Sequence, residues 1–180
     1  MSFLNAPEYI RNLAPYVPGK PIEETQREFK IKNVIKLASN ENPLGPSPKA
    51  LALLRKKILD LHRYPDASAF HLKHALSDSL RLPENQIIVG NGSNEVIDML
   101  IRAYCVPGDS IVTAKAAFLA YRICAQIQGV STLETALTPD LRADLSEMAE
   151  TVRENDRVKM VFLANPNNPT GTYNSTSELG

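Results

Sequence analysis

The 180-residue sequence has only two cysteines, Cys105 and Cys124, both in apolar surroundings. Two such thiols read as free, so a reducing, cytoplasmic compartment is expected. With no secretory route indicated, "NGS" at Asn91 and "NST" at Asn174 are chance matches to a glycosylation signal. Neither sign of charge is in excess: twenty basic side chains face twenty acidic ones, for a formal net charge of zero. That balance supplies no overall field for nucleic acid or a lipid surface and leaves a small molecule as the expected partner. The amino terminus, "MSFLNAPEYIRNLAPYVPGK", has no continuous apolar segment that could act as a signal or a membrane span. Repeats and low-complexity segments are also absent.

What is present is 43% hydrophobic and 22% charged, a composition suited to one sizeable core or to part of a larger one. Residues 1–45 are interrupted by Pro7, Pro15, Pro18, Pro21 and Pro43 and show little apolar periodicity apart from a strand-like "VIKLAS" at 34–39. They read as an extended arm, ordered only by lying on another surface such as a neighbouring subunit. Ser47 then suits an N-cap and Pro48 a first helical position, with Leu51, Leu54, Ile58 and Leu61 at helical spacing before Pro65. A second helix is expected over 68–81, closed by Pro83.

From residue 86 onward, short apolar runs alternate with helical patterns. Strands are expected at "QIIVG" (86–90), "SIVTAK" (110–115), "STLETAL" (131–137) and "VKMVFLA" (158–164), the last one buried. Helices are expected at "NEVIDMLIRAYC", "FLAYRICAQIQ" and "DLSEMAETVRE". This alternation predicts an α/β fold, a mostly parallel sheet flanked by helices.

Three loops follow strands and could carry chemistry. In "VGNGSNEV", Gly90 and Gly92 allow a tight turn, and Ser93 and Asn94 open a helix whose free amides and dipole attract an anion such as a phosphate. Glu95 stands where a dinucleotide fingerprint needs its third glycine, and no P-loop lysine follows, so neither nucleotide motif is present. "AAFLAY" sets Phe118 just past a strand end, where ligands of open α/β sheets collect and an aromatic face can stack on a flat ring. Tyr121, three residues on, reads as a core residue. In "NPNNPTG" (165–171), Asn168 sits between Asn167 and Pro169 and can present its amide to a ligand oxygen. His71 and His74 share a helix but lack a third ligand, so no metal site is expected, and no Ser-His-Asp or Cys-His arrangement is evident.

The stretches "RNLAPYVPG", "KLASNENPLGPSPKA", "RYPD", "VGNGSNEVIDMLIRAY" and "FLANPNNPTG", in this order, resemble the fold-type I pyridoxal phosphate aminotransferases, and within them most closely the histidinol-phosphate aminotransferases. The resemblance covers nearly the whole chain and corresponds to the amino-terminal half of such enzymes. It implies an arm and the start of a small domain at 1–45, and an incomplete cofactor-binding large domain at 46–180. It implies pyridoxal 5'-phosphate held by Gly92, Ser93 and Asn94 at its phosphate, by Phe118 at its ring and by Asn168 at its phenolic oxygen. The family usually has aspartate where Asn94 stands, so one negative charge is missing beside the helix start. Tyr64 is implied to reach the neighbouring subunit's cofactor phosphate in a homodimer, and Tyr16 and Asn42 to lie on the substrate side.

The implied reaction exchanges the amino group of L-histidinol phosphate with 2-oxoglutarate, giving imidazole acetol phosphate and glutamate. The alternatives are a same-fold enzyme with another substrate, either an aromatic amino acid aminotransferase or an amino-acid phosphate decarboxylase, or a non-catalytic truncated remnant. The family's cofactor-anchoring lysine, the aspartate facing the pyridine nitrogen and the arginine for the substrate carboxylate are expected after the asparagine-proline loop. No lysine of this chain, Lys115 and Lys159 included, has the serine-lysine context after a strand, so the chain alone is expected to be inactive. Without later strands to pair with, strand 86–90 is expected to keep an open edge.

Overall fold

The computed structural model describes residues 5–16 and 19–180; Val17 and Pro18 of "RNLAPYVPG" lie outside them. The described chain divides into two compact units, one formed by the residues up to Tyr16 together with Ile88–Gly180, the other ending at Ile87.

The first unit is the α/β one. Helix α1 (Glu8–Arg11) belongs to it. The second unit contains α2 (Ile22–Phe29), α3 (Pro48–Lys57), a 3-10 turn at Ile58–Asp60, α4 (Phe70–Leu80) and a 3-10 turn at Glu84–Gln86. The first unit resumes with α5 (Ser93–Tyr104), β1 (Ser110–Ala114), α6 (Ala120–Ile127), β2 (Ser131–Thr135), α7 (Leu145–Glu154), β3 (Val158–Phe162) and α8 (Thr176–Leu179). Its three strands form one parallel sheet in the order β2-β1-β3.

Strand β1 is the centre of this unit because its side chains alternate between two apolar clusters. Ile111 packs with Ile97 and Ile101 of α5 and with Ala120, Cys124 and Ala125 of α6. Val112 and Ala114 turn the other way and pack with Ala143 and with Met148 of α7. A strand covered on both faces in this way makes a three-layer arrangement of helices, sheet and helix. The start of α7 is fixed by Asp144, whose carboxylate accepts from the backbone N–H groups of Ser146 at 3.0 Å and Glu147 at 3.1 Å. The chain leaves α6 through Gly129, whose φ of +69° suits glycine and whose missing Cβ would meet the Tyr9 ring at 3.1 Å.

Several sequence expectations are corrected. The arm is not uniformly extended: it carries α1 and α2, and the segment bearing α1 lies on its own unit, where Gln126 Nε2 donates to the Tyr9 carbonyl at 3.1 Å. "VIKLAS" forms no strand. Nor does "QIIVG": Ile87 has extended angles, φ −115° and ψ 120°, but no described strand pairs with this stretch, and extended backbone without a ladder is not a strand. Strand β3 is not buried. It is an edge strand whose residues are half-buried or exposed in alternation, because only β1 pairs with it. Ser47 occupies the N-cap of α3 as expected but makes no side-chain capping bond. The apolar residues Leu51, Leu54, Ile58 and Leu61 are all exposed, so their periodicity marks a face that nothing among the described residues covers.

Candidate functional site

The loop before α5 is built to leave amides free. The Asn91 N–H donates to Glu95 Oε2, which also accepts Asn91 Nδ2 at 3.1 Å. Gly92 N–H turns back to the Gly90 carbonyl at 2.8 Å, and Val96 N–H is the first to reach back to a carbonyl of the turn, at 3.5 Å from Gly92 O. The N–H groups of Ser93, Asn94 and Glu95 have no acceptor among the described residues. They open a twelve-residue helix, where partial positive charge concentrates. Gly92 makes the turn possible with φ +79° and ψ 177°, a region essentially reserved for glycine. Ser93 and Asn94 are both exposed, so an anion can reach these amides.

A cavity of about 200 Å³ lies beside this helix start, lined by Tyr16, Asn94, Phe118, Ala120, Ile123 and Cys124. The structure thus brings together residues from three parts of the sequence: Tyr16, implied by the resemblance, from the arm, Asn94 from the glycine loop and Phe118 from the loop after β1. Phe118 is held edge-on against Tyr121, with ring centroids 5.9 Å apart at 88°, and Tyr121 stacks on Phe162 at 4.8 Å. Tyr121 is the core residue expected, and burial raises its phenol pKa. Cys124 also lines the cavity, with its Sγ 3.9 Å from the Asn94 carbonyl. Burial, with Asp98 adding to it, raises the Cys124 pKa, which favours the neutral thiol.

The third loop follows β3. Both of its X-Pro bonds, Asn165-Pro166 and Asn168-Pro169, are cis. Asn167 closes it: its N–H donates to Thr172 O at 2.8 Å, and its carbonyl accepts from Gly171 N–H at 2.8 Å. The Asn167 side chain donates to Thr170 Oγ1 at 2.8 Å and to Ala116 O, in the loop after β1, at 3.2 Å. Thr170 and Thr172 hydroxyls are 2.7 Å apart, and Thr172 Oγ1 donates to Leu141 O at 2.6 Å. Asn165 and the buried Asn174 bond reciprocally, at 2.9 and 2.8 Å. Within this frame Asn168 is exposed, and its amide has no hydrogen-bond partner among the described residues.

Tyr64 and Asn42 belong to the second unit. Tyr64 is fully exposed, while Asn42 is occupied in its own turn, its Oδ1 accepting from Leu44 N–H at 3.0 Å and its Nδ2 donating to Gly45 O at 3.3 Å. Asp66, beside Tyr64, accepts from Ser68 Oγ and from the N–H groups of Phe70 and Ser68, which lowers its pKa. Among the described residues no group of three or more metal-ligating side chains comes together, and no helix is long and apolar enough to cross a membrane. Sequence reasoning missed Glu95 and Asn167 as loop-holding residues. A glutamate three places into a helix is a known cap signal, so Glu95 was findable. The reach of Asn167 to Ala116, 51 residues away, leaves no local sign.

The family described as aminotransferase class I and II matches residues 32–180. Among curated relatives, the histidinol-phosphate aminotransferase of Anaeromyxobacter sp. (strain Fw109-5) is 44% identical over 173 residues, covering 96% of this chain and 47% of the relative. That of Moorella thermoacetica is 47% identical over 165 residues, covering 92% of this chain and 42% of the relative. The crystal structure of histidinol-phosphate aminotransferase from Sinorhizobium meliloti in complex with pyridoxal-5'-phosphate superposes with a TM-score of 0.82 at 26% identity, over 93% of this chain and 44% of that one. The chain spans about half the length of the curated relatives it matches.

Proposed function

Because the chain belongs to the class I and II aminotransferases, we propose that the surface made by Gly92, Ser93, Asn94, Phe118 and Asn168 holds pyridoxal 5'-phosphate. The observation that carries this reading is the single cavity in which Asn94, at an open helix start, meets the Phe118 ring. The residues fit the group. Three unpartnered amides suit a phosphate, the Phe118 ring suits a flat aromatic face, and the free amide of Asn168 suits an oxygen at the ring edge. When bound, the group supplies an electron sink that acidifies the carbon bearing the substrate's amino group. The chain's own residues bind and orient. The Ser93, Asn94 and Glu95 amides fix the phosphate, Phe118 limits the tilt of the ring, and Asn168 donates to the phenolic oxygen. With a neutral Asn94 at the helix start, the phosphate meets no side-chain carboxylate at that position.

For a chain of the relatives' full length we propose transamination between L-histidinol phosphate and 2-oxoglutarate, in histidine biosynthesis. The names of the curated relatives support this choice. Tyr16 and Asn42 are assigned to the substrate side. A homodimer is proposed in which Tyr64 reaches the partner subunit's cofactor phosphate, and the cytoplasm is the proposed compartment. The lysine that anchors the cofactor and moves the proton is proposed to lie outside these 180 residues, so the chain by itself is inactive.

The test joins this chain to the remainder of its coding sequence and measures glutamate formation from L-histidinol phosphate and 2-oxoglutarate, beside a panel of aromatic amino acids. A clear preference for the phosphorylated amino alcohol is expected. Equal or better turnover of an aromatic amino acid would overturn the substrate assignment. Turnover by the 180-residue chain alone would overturn the claim that it lacks the catalytic lysine.

A further inference from the structure

Asn167 has no assigned role in the site, yet it is the residue through which the loop carrying Asn168 is tied to the loop carrying Phe118. Its Nδ2 donates both within its own loop, to Thr170 Oγ1, and across to the carbonyl of Ala116, two residues before Phe118. Ala116 is a non-glycine residue in the left-handed region, with φ +53°. Such a backbone persists only where its surroundings hold it. A carbonyl fixed in that conformation by a side chain from the neighbouring strand's loop sets where the next residues go. Ala117 N–H closes the same turn on the Ala114 carbonyl at 3.3 Å, and Tyr121 N–H then takes the Phe118 carbonyl at 3.2 Å. The adjacent asparagines therefore divide the work: Asn167 is spent on the frame, and Asn168 is left free toward solvent.

We propose that Asn167 is a positioning residue for the cofactor ring: its amide locks the Phe118 loop and the Asn168 loop into one register, so that ring face and ring edge are met together. This rests on the reading of the site as a pyridoxal phosphate site. The phosphate cup at the start of α5 shares no bond with Asn167, so the two halves of the ligand should respond separately.

The experiment uses the 180-residue chain with three probes: inorganic phosphate, pyridoxal and pyridoxal 5'-phosphate. Asn167→Asp keeps the size but replaces the donor to Thr170 Oγ1 and to the Ala116 carbonyl by an oxygen, which can regain the Thr170 contact if that hydroxyl turns toward it but only repels the Ala116 carbonyl. It is expected to weaken pyridoxal and pyridoxal 5'-phosphate by about tenfold, the loss of one bond plus the repulsion that replaces it. Inorganic phosphate should bind as in the parent. The pH at which the absorption band of bound pyridoxal 5'-phosphate shifts should also move, since that band reports on the phenolic oxygen near Asn168. Thr170→Val removes the two contacts of the Thr170 hydroxyl inside the loop, to Asn167 and to Thr172, but spares the tie to Ala116, and should stay within about twofold of the parent for all three probes. A nuclear Overhauser contact between the Asn167 side-chain amide and Ala117, measured in the unsubstituted chain, checks the tie without any variant. Equal losses for phosphate and pyridoxal, no loss for either, or absence of that contact would overturn the proposal. If the parent chain binds pyridoxal 5'-phosphate no better than inorganic phosphate, the cofactor reading itself has failed, and the contact measurement still decides whether the loops are tied.

Discussion

Replacing Gly92 by alanine separates backbone conformation from crowding at the helix start. A Cβ built there has no heavy atom within 4 Å, so no clash opposes the substitution. The backbone opposes it: φ +79° with ψ 177° is a conformation that L residues with a side chain avoid at a cost of about 1–3 kcal/mol. The alanine chain must either keep this turn strained or relax it and move the amides of Ser93 and Asn94. For a loss of about 2 kcal/mol and a urea slope near 2 kcal/mol per molar, the midpoint of unfolding falls by about 1 M. Relaxation would instead spare the midpoint and weaken phosphate. In either case the slope should be unchanged, because no core surface is altered. Urea unfolding followed by circular dichroism, together with equilibrium dialysis against inorganic phosphate, reads both outcomes. A variant with the parent's midpoint and the parent's phosphate affinity would refute the argument that this turn requires glycine.

Other expectations test the frame around the site. Ile101 is fully buried in the cluster that joins α5 and α6 to β1, so Ile101→Ala should cost about 2–5 kcal/mol in urea unfolding, while the ratio of phosphate to pyridoxal affinity is unchanged. Asp144→Ala removes the acceptor for two N–H groups at the start of α7 and should cost about 1 kcal/mol, with Asp144→Asn recovering most of it. Glu178 is held at a pKa of about 2 by the Ser175 N–H, the Ser175 hydroxyl and Arg142. Because its folded pKa is depressed, its contribution is complete above the ordinary carboxylate range and disappears as pH falls through about 2. The protection of α8 amides relative to their intrinsic exchange rate at each pH should therefore fall from about pH 4.5 downward, and Glu178→Gln should lack that protection already at neutral pH; a protection factor independent of pH would reject this.

What could be read in the sequence, and what could not, follows from where each structure's bonds come from. The helices from α3 to α7 and the strands β1 to β3 are legible because their signals are local: apolar spacing, Pro48 at a helix start, Gly129 after a helix end. Strand "QIIVG" has the same local signal but lacks a described partner, and pairing is a property of two segments that no single one encodes. The exposed row Leu51, Leu54, Ile58 and Leu61 is the same lesson in a helix, since periodicity tells which face is apolar and not what covers it. Asn94 and Phe118, legible from their own loops, and Tyr16, implied only by the family resemblance, line one cavity. Parallel topology, which delivers the loops after successive strands to one edge of the sheet, accounts for Phe118; Tyr16 comes to the cavity from the arm and Asn94 from the start of α5, by packing alone. The bond from Asn167 to Ala116 depends on that topology too, but it needs a side-chain orientation that no pattern in the sequence encodes. In "NPNNPTG", adjacent asparagines of identical chemistry are thus distinguished only by the fold: Asn167 bonds to both loops, and Asn168 is exposed with its amide unpartnered among the described residues.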